Sequence, residues 1–195
     1  MSLLNRRHWI FDMDGTLTLA AHDFAAFKSA NGMPTDRPIL EVLAEYPEQK
    51  AQRIHARLSD WEEDIARRAV AAADARTLLT HLHTTGHVLG VLTRNSRRVA
   101  TITLEAAQLS HFFAPQVVLG RDDAEPKPDP AGILRLLEHW GAAAEDAVMV
   151  GDYLFDLEAG RAAGVATVLI DRLGDRHWDC DLRVTALDSI IKQHS

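Results

Sequence analysis

The stretch His8–Thr16, HWIFDMDGT, decides how the chain is read. A short apolar run stops abruptly at Asp12 and Asp14, the pattern of a buried strand that delivers acidic residues at its carboxyl end. The composition then changes. From about Leu19 to Ala75 no strand of comparable quality follows. Helices are expected over Asp23–Ala30 and Asp36–Glu45, punctuated by Asn31-Gly32 and Pro34. Pro47 opens a third, longer helix at a favoured first position. Along it Ala51, Ile54, Leu58, Trp61, Ile65 and Ala69 recur at three- and four-residue steps and mark one buried face. Glu62, Glu63, Arg67 and Arg68 flank that stripe and read as a solvated surface.

Beyond Ala75 helix and strand alternate. Thr77–His83 reads as helix, Val88–Leu92 as strand, Val99–Leu109 as helix and Gln116–Leu119 as a short strand. Ile133–Trp140 is helical and closes at Gly141. Ala147–Val150 is the next strand, ending in Gly151-Asp152. Leu157–Ala163 is helical, Val165–Ile170 a strand, Leu182–Val184 an edge strand and Leu187–Lys192 a closing helix. Apolar strands alternating with helices imply a parallel sheet covered on both faces. The fold class is therefore α/β, a Rossmann-like parallel sheet core with a helical cap inserted after the first strand. Residues 1–18 and 76–195 form the core and 19–75 the cap.

Composition sets the outer bounds. The chain has 195 residues, 47% hydrophobic and 25% charged, with a formal charge of −7. Those fractions suit a globular protein and exclude disordered, collagen-like and coiled-coil classes. The negative charge argues against nucleic acid or an anionic membrane as partner. Cys180 stands alone, so no disulfide framework exists, and a cytoplasmic location is expected. Neither a membrane span nor a secretory signal fits the sequence. A monomer or homodimer is expected.

In open parallel sheets ligands bind beyond the carboxyl ends of the strands. Asp12 and Asp14, Thr93, the loop carrying Lys127, and Asp152 with Asp156 all fall at such ends. Each has a plain structural alternative: a turn, a helix cap, a solvated loop lysine. Their ordered occurrence at successive strand ends favours a shared site. Crowded carboxylates raise one another's pKa values and need compensating positive charge. Lys127 and a hard divalent cation bound through oxygen would supply it. No His or Cys spacing competes, so Mg²⁺ is expected rather than Zn²⁺.

The stretches FDMDGTLT, VLTRNS, EPKPDPAGI and VGDYLFDLEAGRAAG resemble, in order and wording, the haloacid dehalogenase-like superfamily in its phosphoglycolate phosphatase-like branch. The helical insertion sits where that branch carries a small cap. The resemblance implies that Asp12 is a nucleophile forming an aspartyl-phosphate and that Asp14 is the general acid and base. It implies that Thr93, Arg94, Asn95 and Lys127 bind the phosphoryl group, Lys127 also offsetting charge during catalysis. It further implies that Mg²⁺ is held by Asp12, Asp152 and the backbone carbonyl of Asp14, with Asp156 acting through water or orienting other groups. The activity implied is hydrolysis of a small organic phosphomonoester, phosphoglycolate-like or sugar-phosphate-like.

Asp14 disfavours carbon dehalogenation, which uses the nucleophile without a second Asp or a metal. Phosphonate hydrolysis needs a cap lysine, and Lys28 and Lys50 both read as ordinary exposed helix lysines. A sugar-phosphate mutase shares every core residue, but DGTLTLAAHDF places Leu19 at the usual acidic position and displaces His22. The other class of reading is a non-catalytic phosphate- or metal-binding regulator. A receiver-type signalling domain is shorter and lacks the insertion, and a degenerate binder would be expected to lose Asp14, Lys127 or Asp152.

Candidate cap contacts are His22, Phe24, Phe27 and Lys28, the two Phe being expected mainly in the cap core. One of Arg94, Arg97 and Arg98 is expected to reach a second anionic group, the others being solvated. His81, His83 and His87 do not share a helix face, so no zinc site is expected there. Cys180 reads as a packing residue. The four Trp are too scattered to form a platform for stacking bases.

Overall fold

The computed structural model describes residues 3–19 and 23–192. Six strands, β1 (His8–Phe11), β2 (Val88–Leu92), β3 (Val118–Leu119), β4 (Ala147–Gly151), β5 (Ala166–Ile170) and β6 (Leu182–Val184), make one sheet in the order β3-β2-β1-β4-β5-β6. Every pairing is parallel. β1 lies at the centre, and alternate side chains feed the two faces. Trp9 and Phe11 enter one core with Leu78, Leu82 and Leu104, while Ile10 enters the other with Ile133, Leu136 and Met149.

Between β1 and the rest of the core stand α1 (Phe24–Ala30), α2 (Ile39–Ala44) and α3 (Glu48–Ala66). They share a separate apolar cluster in which Ile54 and Leu58 of α3 pack with Phe27, Val42 and Leu43. The chain leaves and re-enters the core side by side. Thr18 bridges Ala71 in antiparallel fashion, the Leu19 amide donates to Val70 O, and the Ala72 amide donates to Leu17 O.

The core helices are α4 (Ala73–Thr84), α5 (Arg97–Ala106), α6 (Ala131–Trp140), α7 (Leu154–Ala162) and α8 (Ser189–Lys192). α4, α5 and α8 cover one face of the sheet, and α6 and α7 the other. Gly141 ends α6 in the left-handed conformation, φ 60°, which the lack of a Cβ makes easy. No helix among the described residues is long and apolar enough to cross a membrane.

Boundaries differ from expectation where local chemistry intervenes. α3 stops at Ala66, so Ala69 lies outside it. β3 has two residues because Pro115–Val117 turn as a 3₁₀ helix first. α7 starts at Leu154 rather than Leu157, because Asp156 accepts the Tyr153 amide at 3.0 Å and closes the first turn.

Strand register sets the level of the site. Phe11 pairs with Val91 on one side and Val150 on the other. Asp12 therefore leaves the sheet beside the ends of β2 and β4, at the point where the strand order reverses direction, the usual crevice of such sheets.

Candidate active site

Lys127 organises the site. Its ammonium is fully buried and donates to Asp12 Oδ1 at 2.7 Å, Asp156 Oδ1 at 2.6 Å and the Leu92 carbonyl at 2.7 Å. Burial alone would depress its pKa, but the negative charges of Asp12 and Asp156 reverse that and hold it above the usual lysine range. The EPKPDP loop thus joins the ends of β1, β2 and α7 through one cation.

The carboxylates crowd as expected. Oxygens of Asp12, Asp152 and Asp156 lie within 4.8 Å of one another. Burial, with the charges of Asp12 and Asp156, pushes Asp152 up to about 7. Asp156 is pushed up to about 6 by burial, against the pull of Lys127. Arg176 reaches Asp152 at only 3.4 Å. An all-oxygen donor set short of positive charge fits a hard divalent cation. Gly15 adjoins it, at φ +83°, and a Cβ there would stand 2.6 Å from Asp152 Oδ2.

Asp14 stands apart from that trio. Asn95 Nδ2 donates to its Oδ2 at 2.6 Å. Burial and the charge of Asp12 push its pKa up to about 7, even though the Asn95 hydrogen bond favours the ionised form. A carboxyl that titrates near neutrality can both give and take a proton. Thr93 is buried, and its Oγ1 accepts the Asn95 amide at 3.2 Å, which leaves its hydroxyl proton to donate. Ser96, not Thr93, caps α5.

Two expected phosphate ligands are engaged elsewhere. Asn95 is held against Asp14. Arg94 Nη2 donates to both carboxylate oxygens of Glu41 of α2, at 2.8 and 2.9 Å, and Nη1 donates to the Lys127 carbonyl. Arg97 and Arg98 face solvent as expected, 40% and 71% exposed, and there pair with Asp123 and Glu63.

The expectation of a solvated Glu62 is overturned. Its side chain is 3% exposed and forms a two-pronged pair with Arg121 at 2.8 and 2.9 Å. The buried row of α3 is Ile54, Leu58, Glu62 and Ala66. Glu62 follows Leu58 by four residues, and that spacing was a legible signal. Lys28 also departs from the exposed reading: it is half-buried, with its ammonium on the carbonyls of Thr35 and Arg37. Lys50 lies over the Tyr46 ring, 3.5 Å from its centroid. Phe27 is cap core, whereas Phe24 lines the cavity above the carboxylates. His22 lies outside the described residues. Among the described residues, the one group able to hold a metal is Asp12, Asp152 and Asp156, and no His takes part.

Residues 9–170 match the model of the haloacid dehalogenase-like hydrolases. A haloacid dehalogenase-like hydrolase domain-containing protein of Arabidopsis thaliana is 28% identical over 198 residues, covering 95% of this chain and 79% of that one. A phosphoglycolate phosphatase of Rhodospirillum rubrum is 32% identical over 188 residues, covering 83% and 78%. The crystal structure of a hydrolase from Pseudomonas syringae shares the fold with a TM-score of 0.77 at 21% identity, covering 96% and 97%. The matched span contains all four site aspartates, Thr93 and Lys127, and the chain belongs to the haloacid dehalogenase-like hydrolase family, in the branch that holds the phosphoglycolate phosphatases.

Proposed function

We propose that the chain is a Mg²⁺-dependent phosphatase of small organic phosphomonoesters, working through a phosphorylated Asp12. The observation that carries this reading is the buried Lys127 clamp on Asp12 beside an Asp14 that titrates near neutrality. Lys127 holds Asp12 Oδ1, so attack on phosphorus falls to Oδ2. The new Asp12–phosphorus bond forms as the bond from phosphorus to the ester oxygen breaks. Asp14 delivers a proton to the departing alkoxide. It then takes one from the water that attacks the acyl phosphate, which releases phosphate and restores Asp12. The Thr93 hydroxyl and Lys127 stabilise the phosphoryl oxygens.

Asp12 and Asp152, with the Asp14 carbonyl, would hold Mg²⁺. The bound ion would neutralise phosphoryl charge and help the carboxylate approach. Both oxygens of Asp156 are occupied, by Lys127 and by the Tyr153 amide, so it orients Lys127 and the first turn of α7.

Phosphate release from a panel of phosphomonoesters, with Mg²⁺ and with EDTA, tests the reading. Turnover that needs Mg²⁺ and disappears in Asp12→Asn is expected. Turnover that survives Asp12→Asn would refute the covalent route.

A further inference from the structure

Beyond its phosphoryl end the cavity continues between cap and core. It measures about 510 Å³, within the range of sites for drug-sized ligands and far roomier than a phosphoryl group and a glycolate require. Its upper walls are apolar: Phe24, Ile39, Leu40 and Leu58 from the cap, Tyr153 and Phe155 from the core. Phe24 is 42% exposed and Tyr153 48% exposed, so both lining residues keep open surface.

A leaving group with its own negative charge, such as a carboxylate or a second phosphoryl group, needs a cation on those walls. Among the described residues, five basic side chains line the cavity, and each is already engaged. Lys127 is held by Asp12 and Asp156. Arg94 is paired with Glu41 and stacks on Phe155, 4.8 Å from the ring centroid. Arg121 is paired with Glu62, and Arg37 forms a two-pronged pair with Glu45 at 2.6 and 2.9 Å. The Lys28 ammonium sits on two backbone carbonyls. Asp36 adds a negative charge to the same lining. Drawing Arg121 onto a substrate would strand the buried Glu62 carboxylate, a strongly unfavourable exchange.

Resting on the phosphatase reading above, we infer that the preferred leaving group is an uncharged alcohol with a broad apolar or aromatic face, seated against the Phe24–Leu58 and Tyr153–Phe155 walls. An anionic leaving group such as glycolate meets apolar surface, arginines paired with carboxylates and a Lys28 ammonium turned onto backbone carbonyls. Selectivity here comes from apolar fit, with no pairing of charges.

The test uses the full chain with Mg²⁺ and four substrates: benzyl phosphate, 4-carboxybenzyl phosphate, phosphoglycolate and pyrophosphate. The two benzyl esters differ only by the ring carboxylate. Benzyl phosphate is expected to exceed each of the others in kcat/KM by about tenfold or more. Phe24→Ala should raise its KM by about tenfold and leave inhibition by inorganic phosphate unchanged. Binding to Asp12→Asn, measured by calorimetry, should rank the four compounds in the same order without turnover. If a carboxylated ester or pyrophosphate is used as well as benzyl phosphate, the inference is overturned while the phosphatase reading stands. If none of the four is hydrolysed and none binds Asp12→Asn, both are overturned.

Discussion

Arg121→Met should destabilise the protein by about 3–5 kcal/mol at pH 8, because it leaves a buried carboxylate without its counter-ion. The two side chains are 3% and 10% exposed and share two hydrogen bonds of 2.8 and 2.9 Å. Arg121 also donates to the Arg94 carbonyl at 3.1 Å, so that acceptor is stranded too. For a chain of this length the loss corresponds to a fall in Tm of about 6–20 °C. The cost should depend on pH in one direction. Burial already raises the pKa of Glu62, with Arg121 opposing the rise. Without Arg121 it rises further, and a raised carboxyl contributes stability that is lost as pH climbs through its folded value. The variant should therefore recover part of its deficit between pH 8 and pH 5. Glu62→Leu combined with Arg121→Met removes both charges and should lie close to wild type. Denaturation of wild type and both variants at both pH values checks this. An exposed pair is worth under about 1 kcal/mol, so a cost that small would mean that water reaches Glu62 and that α3 does not pack closed on the core in solution.

Asp14→Asn should lower kcat by about 10²–10⁴-fold on alkyl esters, and by much less on p-nitrophenyl phosphate, whose leaving group needs no proton; comparing the two substrates checks it. Burial and mutual repulsion raise Asp14, Asp152 and Asp156 to about 7, 7 and 6, so in EDTA their contribution to stability is full below about pH 4 and lost as pH rises through 6 to 7. Mg²⁺ should accordingly raise Tm more at pH 8 than at pH 5, and a shift of equal size at both would refute the assignment. Gly15→Ala should weaken Mg²⁺ affinity by about 10–100-fold, read from the Mg²⁺ dependence of Tm or activity, because its Cβ would meet Asp152 Oδ2 at 2.6 Å.

The parallel sheet was legible because its strands announce themselves locally. HWIF, VLGVL and AVMVG are apolar runs, each ending at a polar residue, and the sheet places them side by side in register. Asp12, Asp152, Asp156 and Lys127 could be grouped from sequence because strand ends in such a sheet must be neighbours. The less legible features are pairings between side chains far apart in sequence, across the cap–core boundary or within the core. No local pattern says that Glu41 meets Arg94, or that the Asn95 amide goes to Asp14 instead of a phosphoryl oxygen. Those partners are separated by 53 and 81 residues. Periodicity reports which side of a helix is covered but not what covers it. Glu62 shows the difference, since its spacing from Leu58 marked burial while its charge suggested water.

The cap–core pairings follow one pattern of charge. Glu41, Glu62 and Glu63 come from the cap, and Arg94, Arg121 and Arg98 from the core. Their worth differs sharply. Arg98 is 71% exposed and its pair contributes little, and the Glu41–Arg94 pair is partly solvated, so the buried Glu62–Arg121 pair dominates. Both inner arginines also hold backbone of the phosphoryl end: Arg94 the Lys127 carbonyl, Arg121 the Arg94 carbonyl. Parting cap from core would remove the carboxylates that orient these arginines and loosen the peptides carrying Thr93, Asn95 and Lys127. On the proposed phosphatase reading, closure over a substrate and assembly of the phosphoryl site would be one event, with the apolar walls choosing the alcohol and the arginines committed to the cap.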